Sequence, residues 1–313
     1  MKKHLIILTI LAVFSLANAQ QQYQVSQYMF TPMSFNPAYA GSQEQIEIDG
    51  LDRQQWMGFP GRPKTFTMNA SAAVHPFKTQ GGVGISIVQD KIAINKVISM
   101  ALTYAYRFNV GNGKLAIGAK LGFMNNTTDY TGLTTKESIT LPTTKGNGMA
   151  FPDLDVGIYY NTEKTYLGIS SMHMTTPTVK YKVDGINYKL SRAYIATAGY
   201  KHQLANPLFE LQPSLFFLSD GSISYMDFTT LVAFNKKLWG GMSYRSGNNI
   251  VGNAVIMVLG IEMKNGLKVG YSYDFVTSSL RKYNTGSHEF TFRYSFKVNN
   301  EKIPQKYKSV RFL

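Results

Sequence analysis

The sequence predicts an all-β chain, a membrane-spanning antiparallel β-barrel of about 14 strands with an extended amino-terminal segment before it and a short polar tail after it. Three observations predict it. Large apolar residues alternate with small or polar ones along many segments, the period of a strand with two different faces. Aromatic residues make up 13% of the chain and charged residues only 16%, unlike a soluble basic nucleic-acid binder, so no nucleic-acid partner is expected. After the first 19 residues no apolar run reaches the roughly 20 residues of a spanning helix, so a membrane would have to be crossed by strands.

Residues 1–19 read as a signal peptide. Lys2 and Lys3 precede an apolar run over 5–16, and Ala17-Asn18-Ala19 supplies the small residues of a cleavage site, expected after Ala19. Loss of the two lysines takes the formal charge from +14 to +12. With no cysteine there is neither a lipidated thiol nor a disulfide, and the exported chain is held together noncovalently.

Residues 20–44 are expected either to dock in the barrel lumen or to lie in the periplasm. Within them Pro32 and Pro37 remove backbone donors, and Asn36-Pro37 and Ala40-Gly41 are turn-forming pairs. Tyr28, Phe30, Phe35 and Tyr39 sit among these breaks, too many rings for the segment to bury by itself. A plug that packs its rings on the glycine-rich wall at Gly118, Gly122 and Gly270 is the simplest account, entered from the periplasmic side.

The barrel is expected over residues 45–297. Alternation is cleanest at 97–108, where Ile98, Met100, Leu102, Tyr104, Tyr106 and Phe108 face Ser99, Ala101, Thr103, Ala105 and Arg107 across the strand. Beyond a Gly111-Asn112-Gly113 hairpin signal, residues 115–124 repeat the pattern, with the lysines on the small-residue face. The same reading gives strands at 45–52, 65–74, 82–90, 153–160, 165–172, 193–203, 209–218, 222–234, 238–244, 254–263, 267–275 and 289–296. A soluble sandwich would alternate too. Its outward face would be rich in Lys, Glu and Thr, whereas this polar face is mostly Gly, Ser and Ala, as in a closed lumen.

Connections after even-numbered strands are short. Those at 125–152, 173–192 and 277–287 are long, which places the short turns and both termini in the periplasm and the long loops outside. Residues 53–64 then lie outside or fold into the mouth. Residues 298–313 form a basic periplasmic tail, either disordered or a docking strand.

No catalytic, cofactor or metal site is expected. His173 and His288 fall near the outer rim, but no carboxylate stands at a recognisable spacing from either, and Asp153-x-Asp155 lacks further ligands in sequence. The glycines at 111–113 lead into a strand and not a phosphate-binding helix. Candidate lumen charges are Arg107, Lys114, Lys120, Lys268, Asp274 and Arg293. Their positive balance would bias an open pore toward anions, which sustains a general diffusion porin as the alternative function.

Gln27-Tyr28-Met29, Asn36-Pro37-Ala38-Tyr39-Ala40-Gly41 and the block Arg53-Gln54-Gln55-Trp56-x-Gly58-Phe59-x-Gly61-x-Pro63-x-Thr65 together resemble the PorP/SprF family of the Bacteroidetes. The resemblance covers the chain from leader to last strand. It implies a non-enzymatic outer-membrane barrel of the type IX secretion system that helps to secrete or anchor a partner cargo protein, adhesin-like, with a link to gliding. The implied partners are that cargo and periplasmic or peptidoglycan-associated motor subunits, beside outer-membrane lipids. Asn36, Pro37, Tyr39, Gly41, Arg53, Gln55, Trp56, Gly58, Phe59, Gly61 and Pro63 are the family-motif positions. Arg53, Trp56 and Phe59 are expected to form one buried anchoring cluster.

Overall fold

The computed structural model describes residues 22–76, 79–129, 146–176, 178–180, 187–248 and 251–296. The leader and the tail at 298–313 lie outside them. Seventeen strands run in chain order: β1 (Ile46–Gln54), β2 (Lys64–Val74), β3 (Gln80–Ile92), β4 (Asn95–Val110), β5 (Gly113–Thr128), β6 (Gly146–Asn161), β7 (Thr165–Met172), β8 (Thr178–Lys180), β9 (Asn187–Lys189), β10 (Ala193–Tyr200), β11 (His202–Gln203), β12 (Phe209–Ser219), β13 (Ser224–Phe234), β14 (Leu238–Gly247), β15 (Ala254–Glu262), β16 (Leu267–Val276) and β17 (Ser287–Phe296). β8 and β9 pair only with each other, and β11 continues β10 against β12. The remaining fourteen strands are antiparallel neighbours all the way round. The ladder closes from Ile46↔Phe296 to Gln54↔His288, and no open edge remains among the described residues.

Alternation in sequence becomes inside and outside. Met100, Leu102, Leu121, Phe123 and Ile169 are among the most exposed apolar side chains, while Thr103, Ala105, Arg107 and Lys120 on the other parity are buried. Such a surface belongs in lipid, where exposed apolar side chains cost nothing.

One end of the barrel carries residues 111–112, 162–164 and 235–237 and is called here the turn end. The other carries residues 55–63, the β8–β9 hairpin and the helical turn Ser279–Lys282, and is the loop end. The long-loop rule holds only in part, because the loop end also has short connections at 93–94 and 220–223. Much of the loop expected at 125–152 is strand: β5 runs to Thr128 and β6 starts at Gly146, with an irregular register between Asn125 and Thr127. Residues 130–145 lie outside the description.

Residues 22–44 lie inside the barrel. They wind through three short 3-10 turns, Tyr28–Phe30, Pro32–Ser34 and Pro37–Tyr39, two of them opened by the prolines whose fixed φ suits a first helical position. Gln22 packs against Met172 and His173 at the loop end, while Glu44 reaches Lys114 at the turn end. The expectation that the segment starts at the short-turn end is therefore reversed. The segment starts at the loop end and crosses to the turn end, where β1 begins.

A plugged lumen as the candidate functional site

The upper lumen holds five fully buried ionisable side chains on the inward parity of five strands: Arg53 (β1), Asp227 (β13), Arg245 (β14), Asp274 (β16) and Glu289 (β17). Arg245 makes a two-point contact with Asp227, Nε to Oδ1 at 2.8 Å and Nη2 to Oδ2 at 2.6 Å. Arg53 donates to Asp274 at 2.6 Å and to Glu289 at 3.0 Å. Two guanidinium groups thus face three carboxylates. The remaining donors come from the plug. Backbone N–H groups of Ser26 and Gln27 point at Glu289, at 2.8 and 2.6 Å, and the Ser26 hydroxyl donates to Asp274 while accepting from Arg53. Arg245 also donates to the Val25 carbonyl, so the network is shared between wall and plug. Buried charges persist only when so satisfied.

Lower down, the plug packs by shape. Phe35 meets Phe216 edge-on at 5.2 Å between centroids, Tyr28 lies 4.8 Å from the same ring, Tyr39 meets Tyr159 at 5.5 Å and Phe30 meets Trp239 at 5.2 Å. The glycines serve a different purpose from the one expected. A Cβ at Gly82 would sit 2.0 Å from the Ala40 carbonyl oxygen, at Gly118 2.4 Å from the Ala38 nitrogen, and at Gly157 2.2 Å from Asn36 Oδ1. Glycine admits plug backbone and one amide, while the rings find aromatic partners. Gly270 faces Gln27, whereas a Cβ at Gly122 would meet the wall at Met100 and Ala101 beside the loop-end cavity.

The motif residues divide into two groups. Asn36 holds plug to wall, with Nδ2 donating to the Ile158 carbonyl at 2.9 Å while Oδ1 caps the Ala38 N–H at 2.9 Å, so that the turn at Pro37 can start. Tyr39 donates to Glu47 at 3.1 Å, Gly41 takes φ +69° against Gly82, and Gln55 donates to Gln24 at 3.3 Å. The second group shapes the β1–β2 loop. Gly58 and Gly61 have φ of +88° and +71°, Gly61 accepts from Ala93, and Pro63 accepts from Gln55. Arg53, Trp56 and Phe59 do not form one buried cluster. Arg53 points into the lumen, whereas Phe59 is 41% exposed at the loop end and touches Trp56 edge-on. The chain turns at Trp56, whose φ is +51°, and this splits the block between two environments.

The candidate lumen charges are paired or bonded. Lys120 lies 2.6 Å from Asp155, Lys114 pairs with Glu44, Lys268 with Glu262 at 3.2 Å, Arg107 donates to Asn161, and Arg293 holds the carbonyls of Met29 and Phe30. Strand parity alone does not single out Glu289, Asp227 or Ser26 as parts of the site. The two carboxylates do occupy polar positions of predicted strands, and that was the available signal.

Two cavities flank the plug. One of about 250 Å³ at the turn end is lined by Tyr159, Tyr166 and Tyr200 with Lys201, Lys268 and Arg293. One of about 90 Å³ at the loop end is lined by Gln22, Asp90, Lys120, Asp153, Asp155 and His173. Here the fold supplies a carboxylate that sequence spacing does not show beside His173. Asp153 lies 20 residues away on β6, and the β6–β7 pairing brings its Oδ2 to 2.7 Å from His173 Nδ1, with Gln22 on Nε2 at 3.1 Å. Asp153, Asp155 and His173 place donor atoms within 4.8 Å of one another, a spacing that suits a metal ion. The Lys120 ammonium already stands on Asp155, so the cluster carries its own cation. His288 is on the outer wall, bonded to Tyr271.

Solved structures with overlapping folds include the CymD monoaromatic hydrocarbon channel (12% identity, TM-score 0.49, covering 90% of this chain and 96% of that one). The Acinetobacter baumannii outer-membrane protein Omp33 overlaps at 9% identity and TM-score 0.48 (81% and 98%), and a Pseudomonas aeruginosa FadL homologue at 11% and 0.45 (83% and 92%). The barrel assignment rests on the closed ladder, not on these overlaps. A search of curated proteins returns no match. The model of the family described as type IX secretion system membrane protein PorP/SprF matches residues 17–294, which takes in the plug, the β1–β2 loop and nearly the whole closing strand. The chain belongs to the PorP/SprF family of type IX secretion system membrane proteins.

Proposed function

We propose that this protein is a non-enzymatic outer-membrane barrel of the type IX system that helps to secrete or anchor one partner cargo protein at the cell surface, with a link to gliding. In this reading the signal peptide is removed after Ala19, the loop end faces outward and meets cargo, and the turn end meets periplasmic or peptidoglycan-associated motor subunits. One observation carries it: the lumen is filled by residues 22–44, which the wall holds by buried charges above and close backbone contacts below. A diffusion porin keeps a wet passage, whereas a barrel that spends its lumen on its own chain leaves its ends as working surfaces.

The test is deletion of the gene with surface labelling of secreted proteins, alongside bilayer recordings of the purified barrel. Loss of one or a few surface proteins with little conductance is the expected result. Unchanged surface proteins together with a large steady conductance would establish the porin instead.

A further inference from the structure

On the outer wall at the loop end, three lysines stand side by side. Lys64 of β2 is the register partner of Lys91 of β3, and Lys91 is the partner of Lys96 of β4. The row extends through Gln54 to His288 on one side and to Thr127 on the other. All three lysines share the parity of the exposed Phe66, Ile85, Met100 and Leu102, so their stems leave the wall on the lipid side. Directly opposed residues of neighbouring strands sit about 5 Å apart, and like charges there repel. Among the described residues none of the three makes an ion pair. Asp52, two residues below Gln54 on the same face, has its carboxylate occupied by the Gln54 amide at 2.8 Å. The wall therefore presents three adjacent lysines that form no ion pair among the described residues, and the Asp52 carboxylate beside the row is engaged by a neutral amide.

Their height names the counterion. Below Lys96 the outward side chains of β4 run Ile98, Met100, Leu102, Tyr104 and Tyr106, with Phe108 and Val110 beyond. Lys96 and Tyr106 stand about 10 residues apart, the length of a tilted strand that just spans the hydrocarbon layer. With the tyrosines at one interface, the lysines lie level with the headgroups of the other. The rim beside them is also positive. Residues 55–63 and 277–286 contain Arg62, Arg281 and Lys282 and no Asp or Glu, and the two loops are tied together by the Met57 N–H on the Gly286 carbonyl at 2.7 Å.

We propose that Lys64, Lys91 and Lys96 form a binding site for the phosphate of an anionic lipid headgroup in the loop-side leaflet. Each ammonium offers three donors, so the phosphate oxygens bridge neighbouring lysines and remove their mutual repulsion. The site rests on the chain spanning a membrane and stands apart from any role in secretion.

The full-length protein is reconstituted in phosphatidylcholine vesicles doped with phosphatidylglycerol or with lipid A, and the lipid carried through detergent extraction is counted by native mass spectrometry. The anionic probe is expected to stay bound, and to fall about fivefold or more in the Lys64→Gln, Lys91→Gln, Lys96→Gln triple variant, with phosphatidylcholine unaffected. Retention of the heat-dependent gel shift shows that the variant barrel is folded. Equal retention of anionic lipid by the folded variant overturns the proposal. So does displacement of the lipid by equimolar inorganic phosphate, which marks a free-anion site, or capture of acidic protein with no lipid retained. If the triple variant does not insert, Lys91→Gln alone removes the central charge and is expected to cut retention about twofold, and no change there is equally fatal.

Discussion

Glu289 on the closing strand accepts the backbone N–H of Ser26, 263 residues earlier in the chain, at 2.8 Å. Its second oxygen takes the N–H of Gln27 at 2.6 Å. A carboxylate that receives two successive backbone donors is a clamp that only an anion can make, since an amide would turn one N–H₂ against a donor. Glu289→Gln also leaves the buried Arg53 with Asp274 as its one carboxylate partner. Breaking a buried pair of this kind costs about 3 kcal/mol, so the variant is expected to lose its heat-dependent gel shift at a lower temperature. Because the clamp is half plug, ion conductance in planar bilayers should rise as well. Deletion of residues 22–41 sets the upper limit of that rise, and unchanged conductance in the deletion would mean that the plug does not seal the lumen.

Gly82→Ala is expected to disturb the plug more than the barrel. The added methyl would lie 2.0 Å from the Ala40 carbonyl oxygen and 2.8 Å from the Gly41 nitrogen, both backbone, so the segment must move. Overpacking of this sort costs about 1–3 kcal/mol. Gly240→Ala is the control, since its methyl meets the tip of the flexible Leu259 side chain at 3.1 Å and the Val258 carbonyl oxygen at an ordinary 3.6 Å. Limited proteolysis between residues 30 and 45 should appear in the first variant and not in the second.

What was legible in the sequence was whatever repeats with period two. All fourteen spanning strands stood out because lipid on one side and a crowded lumen on the other force large and small residues to alternate, as Leu102 and Thr103 do. The plug was visible as a segment that had to dock, yet its direction was not. Nothing in the residues around Gln22 differs in kind from those around Glu44, and only the contacts with His173 and Lys114 distinguish the two ends. Long-range pairs such as His173 with Asp153, or Glu289 with Ser26, were invisible for the same reason: register, not spacing, brings them together. The Trp56 block misled because a single positive φ sends Arg53 inward and Phe59 out.

At the turn end the plug finishes in an exposed ion pair, Glu44 with Lys114. The hydrogen bond from the Lys114 ammonium lowers the Glu44 carboxyl below its ordinary value of 4.5. A carboxyl depressed in the folded chain adds stability that is present above that ordinary value and is lost as pH falls through the folded one. Glu44 is largely open to solvent, so the effect is below about 1 kcal/mol. Thermal melts from pH 6 to pH 3 should show a slightly smaller acid loss in Glu44→Gln than in the parent chain. An identical profile would mean that the pair does not form in solution.

The direction of the plug makes the sharpest claim about topology. Gln22 is buried at the loop end between Met172 and His173, and the chain runs from there down to β1 at the turn end. The strands therefore close around a segment whose amino end is on the side of the long loops, although export would deliver that end to the periplasm. An epitope inserted directly after Ala19 is expected to be reached by antibody on intact cells, at a level close to that of an epitope placed in the β16–β17 loop. The same epitope after Phe296 should be reached only once the outer membrane is permeabilised. Labelling of the amino-terminal epitope that required permeabilisation would place the start of the plug at the turn end. It would also remove the contact of Gln22 with His173 on which the loop-end cavity is built.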